Sequence, residues 1–122
     1  VMKLLNIIKP DRAYFGEKDF QQFILIKKMA EAFFIKTEII SCKTVREDSG
    51  LACSSRNNLL KPGDKKIAPE FQHTLKQKIP TEETERKLEK FGFTVDYIKD
   101  LNKRRFGAVS LSKIRLIDNV KQ

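Results

Sequence analysis

Phe15-Gly16-Glu17-Lys18-Asp19-Phe20-Gln21-Gln22 is the stretch from which the fold of this chain can be read. Ahead of it, Arg12 to Phe15 reads as a short strand. Behind it, Lys18 to Phe34 places Phe23, Ile26, Ala30 and Phe33 on one face of a helix. The β-branched run Thr37 to Cys42 predicts a second strand. Upstream, Met2, Leu5 and Ile8 recur at threefold spacing within Val1 to Lys9, a helical pattern closed by Pro10. Helix, strand, helix, strand is the order that builds a parallel α/β sheet. Ligands of such sheets bind beyond the carboxyl ends of the strands. Gly16 to Asp19 follows the first strand and Val45 to Arg56 forms a long excursion after the second, so both segments are expected on one rim.

The residues at that rim suit polyphosphate chemistry. Gly16 allows any φ and close backbone approach, and the N–H groups opening the next helix, near Glu17 to Asp19, favour an anion. Lys18 adds a mobile positive charge. Asp19 and Gln22, three apart, share a helical face, where Gln22 can both donate and accept. An acidic first turn with a surface lysine is also ordinary helix capping, and these residues alone do not separate the two readings. The second segment, Cys53-Ser54-Ser55-Arg56-Asn57, groups two hydroxyls with a planar guanidinium, which can hold a phosphate chain and stabilise charge on a departing pyrophosphate. It is equally plain polar loop composition until paired with Gly16 to Asp19. Arg46 and Glu47 are expected to brace the loop, and Gly50 to turn it and allow it to move.

Composition narrows the class of partner. The 122 residues carry 25 Lys and Arg against 16 Asp and Glu, a formal charge of +9 that favours anions without selecting one. Cys42 and Cys53 lack metal-ligand spacing and His73 stands alone, so no metal site is expected in the chain, and the thiols are expected reduced, buried or in loops. No apolar run approaches the about 20 residues of a membrane helix, and no signal-peptide pattern is present, so a soluble cytoplasmic chain without membrane contact is expected. Because the chain opens inside a helical pattern, it is expected to be the C-terminal part of a larger protein or a shortened piece of one.

Residues 61–122 read as a second, small unit after a first of residues 1–60. Pro62 opens a helix to about Lys78, Thr81 with Glu82 and Glu83 opens another that Gly92 ends, and Phe93 to Lys99 is a strand. Val109 to Leu111 and Lys113 to Ile117, joined through Ser112, suggest a short antiparallel sheet. Lys103-Arg104-Arg105 is expected to be a solvated cationic surface or a contact to phosphates.

Taken together, Lys9 to Gln22, Thr44-Val45-Arg46-Glu47-Asp48-Ser49-Gly50-Leu51-Ala52, Ser54-Ser55-Arg56-Asn57 and Arg115-Leu116-Ile117-Asp118-Asn119 resemble the signatures of the pantothenate synthetases, or pantoate–beta-alanine ligases. This is a nucleotidyltransferase-fold family related to class I aminoacyl-tRNA synthetases. The resemblance covers the whole chain and is strongest from residue 3 to about 58. It implies the end of a Rossmann-like parallel sheet followed by a small α+β lid subdomain. It also implies a two-step ligation: ATP and pantoate give pantoyl adenylate and pyrophosphate, then beta-alanine displaces AMP.

By position, the resemblance assigns ATP to Gly16, Glu17, Lys18 and Asp19, adenine to Val45, a second ATP segment to Cys53, Ser54, Ser55 and Arg56, and pantoate to Gln22. Lys18, Ser54, Ser55 and Arg56 would be the catalytic groups. Mg2+ is expected with ATP, its ligands outside this chain. Cys53 stands where the family usually has methionine, and Asp100 to Gly107 is shorter than the family's usual connection. The family's paired-histidine motif and further pantoate contacts belong to the first half and have no counterpart here. His73 is expected at the surface or a boundary, the isolated chain is expected to be inactive, and the family's homodimer would form through the missing half. The competing class is a basic nucleic-acid-binding module using Lys27-Lys28, Lys65-Lys66 and Lys103-Arg104-Arg105, but its charges are scattered and no aromatic platform interleaves with them.

Overall fold

A computed structural model describes all 122 residues and divides them into two compact units, Val1–Thr44 and Val45–Gln122. The first contains α1 (Met2–Ile8), β1 (Arg12–Gly16), a 3-10 turn (Glu17–Asp19), α2 (Phe20–Ala32) and β2 (Glu38–Cys42). β1 and β2 pair in parallel, with Arg12 opposite Glu38 and Gly16 opposite Cys42. Thr37 is held just before β2 by its hydroxyl, which donates to the Pro10 carbonyl at 2.7 Å. Leu5, Phe23, Ile26 and Ala30 are the buried apolar side chains of this unit.

Several boundaries differ from the sequence reading for identifiable reasons. Lys9 adopts a left-handed φ of 49° and its N–H bonds the Leu5 carbonyl, which ends α1 before Pro10. Of the spaced trio only Leu5 is buried; Met2 and Ile8 face solvent. The helix expected from Lys18 begins at Phe20, because the Asp19 carboxylate accepts the Gln22 N–H at 3.3 Å and caps it. It stops at Ala32, so Phe33 lies past the apolar face and is exposed, with Phe34 beyond it at φ 53°.

The second unit holds a 3-10 turn (Ser55–Leu59), α3 (Pro62–Ile67), α4 (Pro69–Leu75), α5 (Thr81–Lys90) and the antiparallel meander β3 (Thr94–Leu101), β4 (Arg104–Leu111), β5 (Ile114–Lys121). The single helix expected from Pro62 to Lys78 is two, because Pro69 lacks an N–H and cannot continue the ladder of α3. The two short strands expected after Val109 are eight residues each. Two-residue turns join the meander, with Asn102, Lys103, Ser112 and Lys113 all at positive φ, as tight hairpins require. Phe71, Leu75, Leu88 and Phe93 from the helical side meet Ile98 and Val109 of the sheet in one core. Gly107 lies where a Cβ would meet Phe71 at 2.9 Å and both Ile98 and Leu75 at 3.0 Å, so the strand admits no side chain at that point.

Lys103-Arg104-Arg105 is the main correction. Only Lys103 is exposed; Arg104 and Arg105 are buried in β4. Arg104 bonds the Asn119 carboxamide across the sheet. Arg105 makes two 2.7 Å bonds to Asp100 and reaches Thr84 Oγ1 at 2.9 Å and the Gln77 carbonyl at 3.2 Å. The hydrogen bond from Arg105 holds the Asp100 carboxyl below its ordinary value of 3.8, against the opposing effect of burial.

Residues 45–60, assigned from sequence to the first domain, pack with the second unit. Leu51 and Leu60 enter its core, and Arg46 forms a bidentate ion pair with Asp118 of β5 at 2.6 and 2.9 Å. The Asp118 side chain is only 2% exposed, against 23% for Arg46.

Three outcomes are expected. Gly107→Ala should destabilise the second unit by about 1–3 kcal/mol through overpacking, read as a lower denaturant midpoint. Arg46→Ala, which strands the buried Asp118 charge, should remove about 3–5 kcal/mol, read by amide exchange of β4 and β5. Because the folded pKa of Asp100 is depressed, its stabilising contribution is complete above the ordinary value of 3.8 and lost as pH falls through the folded pKa. An Asp100→Asn chain should therefore lose less stability on acidification than the parent, a modest difference because the carboxylate is half exposed.

Candidate functional site

The residues singled out from sequence form two clusters, one in each unit. In the first, Gly16 ends β1 and the 3-10 turn Glu17–Asp19 leads into α2, so Gly16 to Asp19 occupies the carboxyl end of the parallel pair. Gly16 has an ordinary φ of −69°, so conformational freedom is not the reason for glycine. No atom lies within 4 Å of where its Cβ would stand, leaving the backbone open to close approach. Glu17 accepts the Ser41 hydroxyl at 3.3 Å, which ties the turn to β2. Lys18 is half-buried, while Asp19 and Gln22 are exposed. The capping role of Asp19 is realised by the bond its Oδ1 accepts from the Gln22 N–H.

The second cluster is a small braced loop. Arg46 and Ala52 form an isolated antiparallel bridge, and within it Gly50, at φ 92°, closes a turn in which its N–H donates to the Glu47 carbonyl at 2.8 Å. The Cys53 N–H donates to the Val45 carbonyl at 2.9 Å, placing these two positions side by side. From that base Cys53, Ser55 and Arg56 project as exposed side chains and Ser54 as a half-buried one, whose hydroxyl accepts the Arg56 N–H at 3.2 Å. Val45 is also exposed. The expected braces are in place: Arg46 holds Asp118 and the Gly50 carbonyl, and Glu47 accepts from the Asn57 amide at 3.1 Å. Sequence reasoning did not single out Asn57 as a supporting residue. Its only signal was its place directly after Ser-Ser-Arg.

Elsewhere the expectations divide. His73 is half exposed, its Nδ1 3.8 Å from Glu70, a surface position. Cys42 and Cys53 are exposed and form no disulfide. No group of three or more His, Cys, Asp or Glu side chains gathers as metal ligands. With Arg104 and Arg105 buried and paired, the largest cationic cluster of the nucleic-acid reading is not a surface. An open cavity of about 480 Å³ lies at the amino ends of β1 and β2, lined by Asn6, Lys9, Asp11, Phe34 and Lys36 among others, and contains none of the predicted site residues. No helix is long and apolar enough to cross a membrane.

Comparison with known proteins gives a consistent result. The chain is 55% identical over 119 residues to a pantothenate synthetase of Legionella pneumophila and 51% identical over 120 residues to one of Coxiella burnetii. Each alignment covers 98% of this chain and 47% of the relative, so the chain spans about half the length of the curated relatives it matches. Among solved structures it superposes with a TM-score of 0.91 and 45% identity on a pantoate-beta-alanine ligase from Francisella tularensis, described as complexed with beta-gamma ATP and beta-alanine, covering 98% of this chain and 47% of that one. A pantothenate synthetase from Thermus thermophilus superposes with a TM-score of 0.83 at 31% identity, covering 98% and 52%. A family model described as pantoate-beta-alanine ligase matches residues 1–121, and the chain belongs to that family.

Proposed function

We propose that this chain supplies the C-terminal half of an ATP-dependent ligase that joins pantoate to beta-alanine. The observation that carries this reading is the family match over residues 1–121, which includes both phosphate-suited segments. In the first step a pantoate carboxylate oxygen attacks the α-phosphorus of ATP, the bond to the β-phosphate breaks, and pyrophosphate leaves. In the second the beta-alanine amine attacks the acyl carbon, AMP leaves, and the amine loses a proton. Neither step needs a protein nucleophile; both need alignment and stabilisation of developing negative charge.

Gly16, Glu17, Lys18 and Asp19 would hold ATP, with Lys18 toward the phosphates and Gly16 or Asp19 toward the ribose. Val45 would meet the adenine, and Cys53, Ser54, Ser55 and Arg56 would flank the phosphate chain, Arg56 countering charge on the departing pyrophosphate. Gln22 would hydrogen-bond pantoate. Mg2+ would arrive with ATP, its ligands drawn from the phosphates and the other half. Functionally, residues 1–60 would serve nucleotide binding and 61–122 a lid.

The first unit reads as the end of a Rossmann-like nucleotidyltransferase sheet. A parallel pair is normally covered on both faces. Val1, Met2, Leu4, Ile7, Ile8, Tyr14, Leu25, Phe33 and Phe34 are large and exposed in this unit, against four such residues in the larger second one. That surface fits burial against the half that completes the relatives, through which the homodimer would also form. Exposed Cys42 and Cys53 suit a reducing, cytoplasmic setting.

Mixed with the N-terminal half of a close relative, the chain should release AMP in a pantoate-dependent assay, whereas alone it should not. Arg56→Ala and Lys18→Ala should each lower that rate on the order of 10²-fold or more. Reconstituted activity indifferent to both substitutions would refute the site assignment.

A further inference from the structure

The exposed segment Cys53 to Arg56 is four residues long, and one buried side chain fastens both of its ends. Asn57 is 6% exposed. Its Nδ2 donates to the Ala52 carbonyl, immediately before the segment, at 3.0 Å, and to Glu47 Oε1 at 3.1 Å. Both partners are acceptors, which fixes the orientation of the carboxamide. Its backbone N–H donates to the Ser54 carbonyl at 3.1 Å, and its own carbonyl accepts from Leu60, itself a buried member of the core. Ala52 is in turn bridged to Arg46, which is locked on Asp118. The loop is therefore closed by the Asn57 carboxamide on the Ala52 carbonyl, and between these two buried residues Cys53, Ser55 and Arg56 are exposed and Ser54 half-buried.

We infer that Asn57 is the positioning residue for Ser54, Ser55 and Arg56: its carboxamide, held by Glu47 and the Ala52 carbonyl, orders the segment for a polyphosphate chain. This rests on the reading of that segment as the ATP phosphate contact. A group that contacts ATP acts through its own charge or hydroxyl. Asn57 is buried and acts by reducing the number of loop conformations from which the binding geometry must be selected.

Glu47 makes the inference separable from simple electrostatics and from general destabilisation. It is exposed, and its side chain meets Asn57. Removing its negative charge should, on charge grounds alone, improve binding of an anion whatever residue replaces it. If Glu47 acts by holding Asn57, Glu47→Gln keeps an acceptor for the Asn57 amide and preserves binding, whereas Glu47→Ala weakens it.

The test uses the 122-residue chain with ATP as the probe, followed by amide shifts, together with amide hydrogen exchange in its absence. Glu47→Ala should speed exchange at Cys53 to Arg56 about fivefold, with β4 unchanged, and weaken ATP about three- to tenfold. Glu47→Gln should restore both, and Asn57→Asp, which replaces the donor with a group repelled by Glu47, should reproduce or exceed the alanine effect. Unchanged exchange, or tighter ATP binding by both Glu47 variants, would overturn the inference. Arg56→Ala separates the two readings. If it leaves ATP binding intact, the phosphate assignment fails and the inference falls with it, even where the exchange pattern holds. If the chain alone binds no ATP, the same comparison is made with the N-terminal half of a close relative added, and no dependence on Arg56 there refutes the assignment. If Arg56→Ala abolishes binding while Glu47→Ala does not alter it, the positioning role alone is refuted.

Discussion

The bidentate pair between Arg46 and Asp118 is the constraint on which the second unit depends. It joins the first residues after β2 to the last strand of the chain, 72 positions apart in sequence. A carboxylate only 2% exposed is tolerable because a guanidinium fork meets both oxygens and a backbone N–H, that of Asn119, meets one of them again. The same guanidinium reaches the Gly50 carbonyl, so a single side chain fixes the strand, the turn and the entry to the Ser-Ser-Arg segment. Its net energy relative to an apolar substitute is small by general experience with buried ion pairs, but its directionality sets one register for the loop.

Charge is thus sorted by use. Arg46, Arg104 and Arg105 are committed to internal bonds with Asp118, Asn119, Asp100 and Thr84, while Arg56 points outward from the loop and Lys18 lies half-buried at the turn after β1. The pairs Arg46–Asp118 and Arg105–Asp100 each sum to zero and leave the formal charge of +9 in place, but those two guanidiniums, with buried Arg104, are withdrawn from the surface a partner would meet. On the proposed reading, selectivity for a polyphosphate would rest on a few oriented groups more than on a general positive field.

Local signals carried much of this into the sequence. The order of α1, β1, α2 and β2 follows from apolar spacing and a β-branched run, and their parallel pairing follows from the helical crossover. The Gly16 and Ser54 segments stand out as candidates because turn residues and phosphate-suited side chains sit together in them. What escaped was nonlocal. Lys103-Arg104-Arg105 has the composition of a surface patch, and its burial depends on Asp100 and Asn119 lying opposite or near it on other strands, which no window of sequence displays. Asn57 resembles ordinary loop polarity until Ala52 and Glu47 are brought to its amide. Pro69, by contrast, is a local breaker visible in the sequence, and its missing N–H is what separates α3 from α4.

The meander of β3, β4 and β5 has a consequence for the order of events in folding. Each of its pairings is made across a two-residue turn, so loop closure costs little entropy before contacts form. β1 and β2 can pair only after the whole of α2 has been laid between them, and Arg46 can meet Asp118 only when the two ends of the second unit come together. Low contact order at the carboxyl end and high contact order elsewhere make the meander the early scaffold. The loop bearing Ser54, Ser55 and Arg56 would then be among the last parts to set, acquiring its shape when its brace finds a strand that is already there.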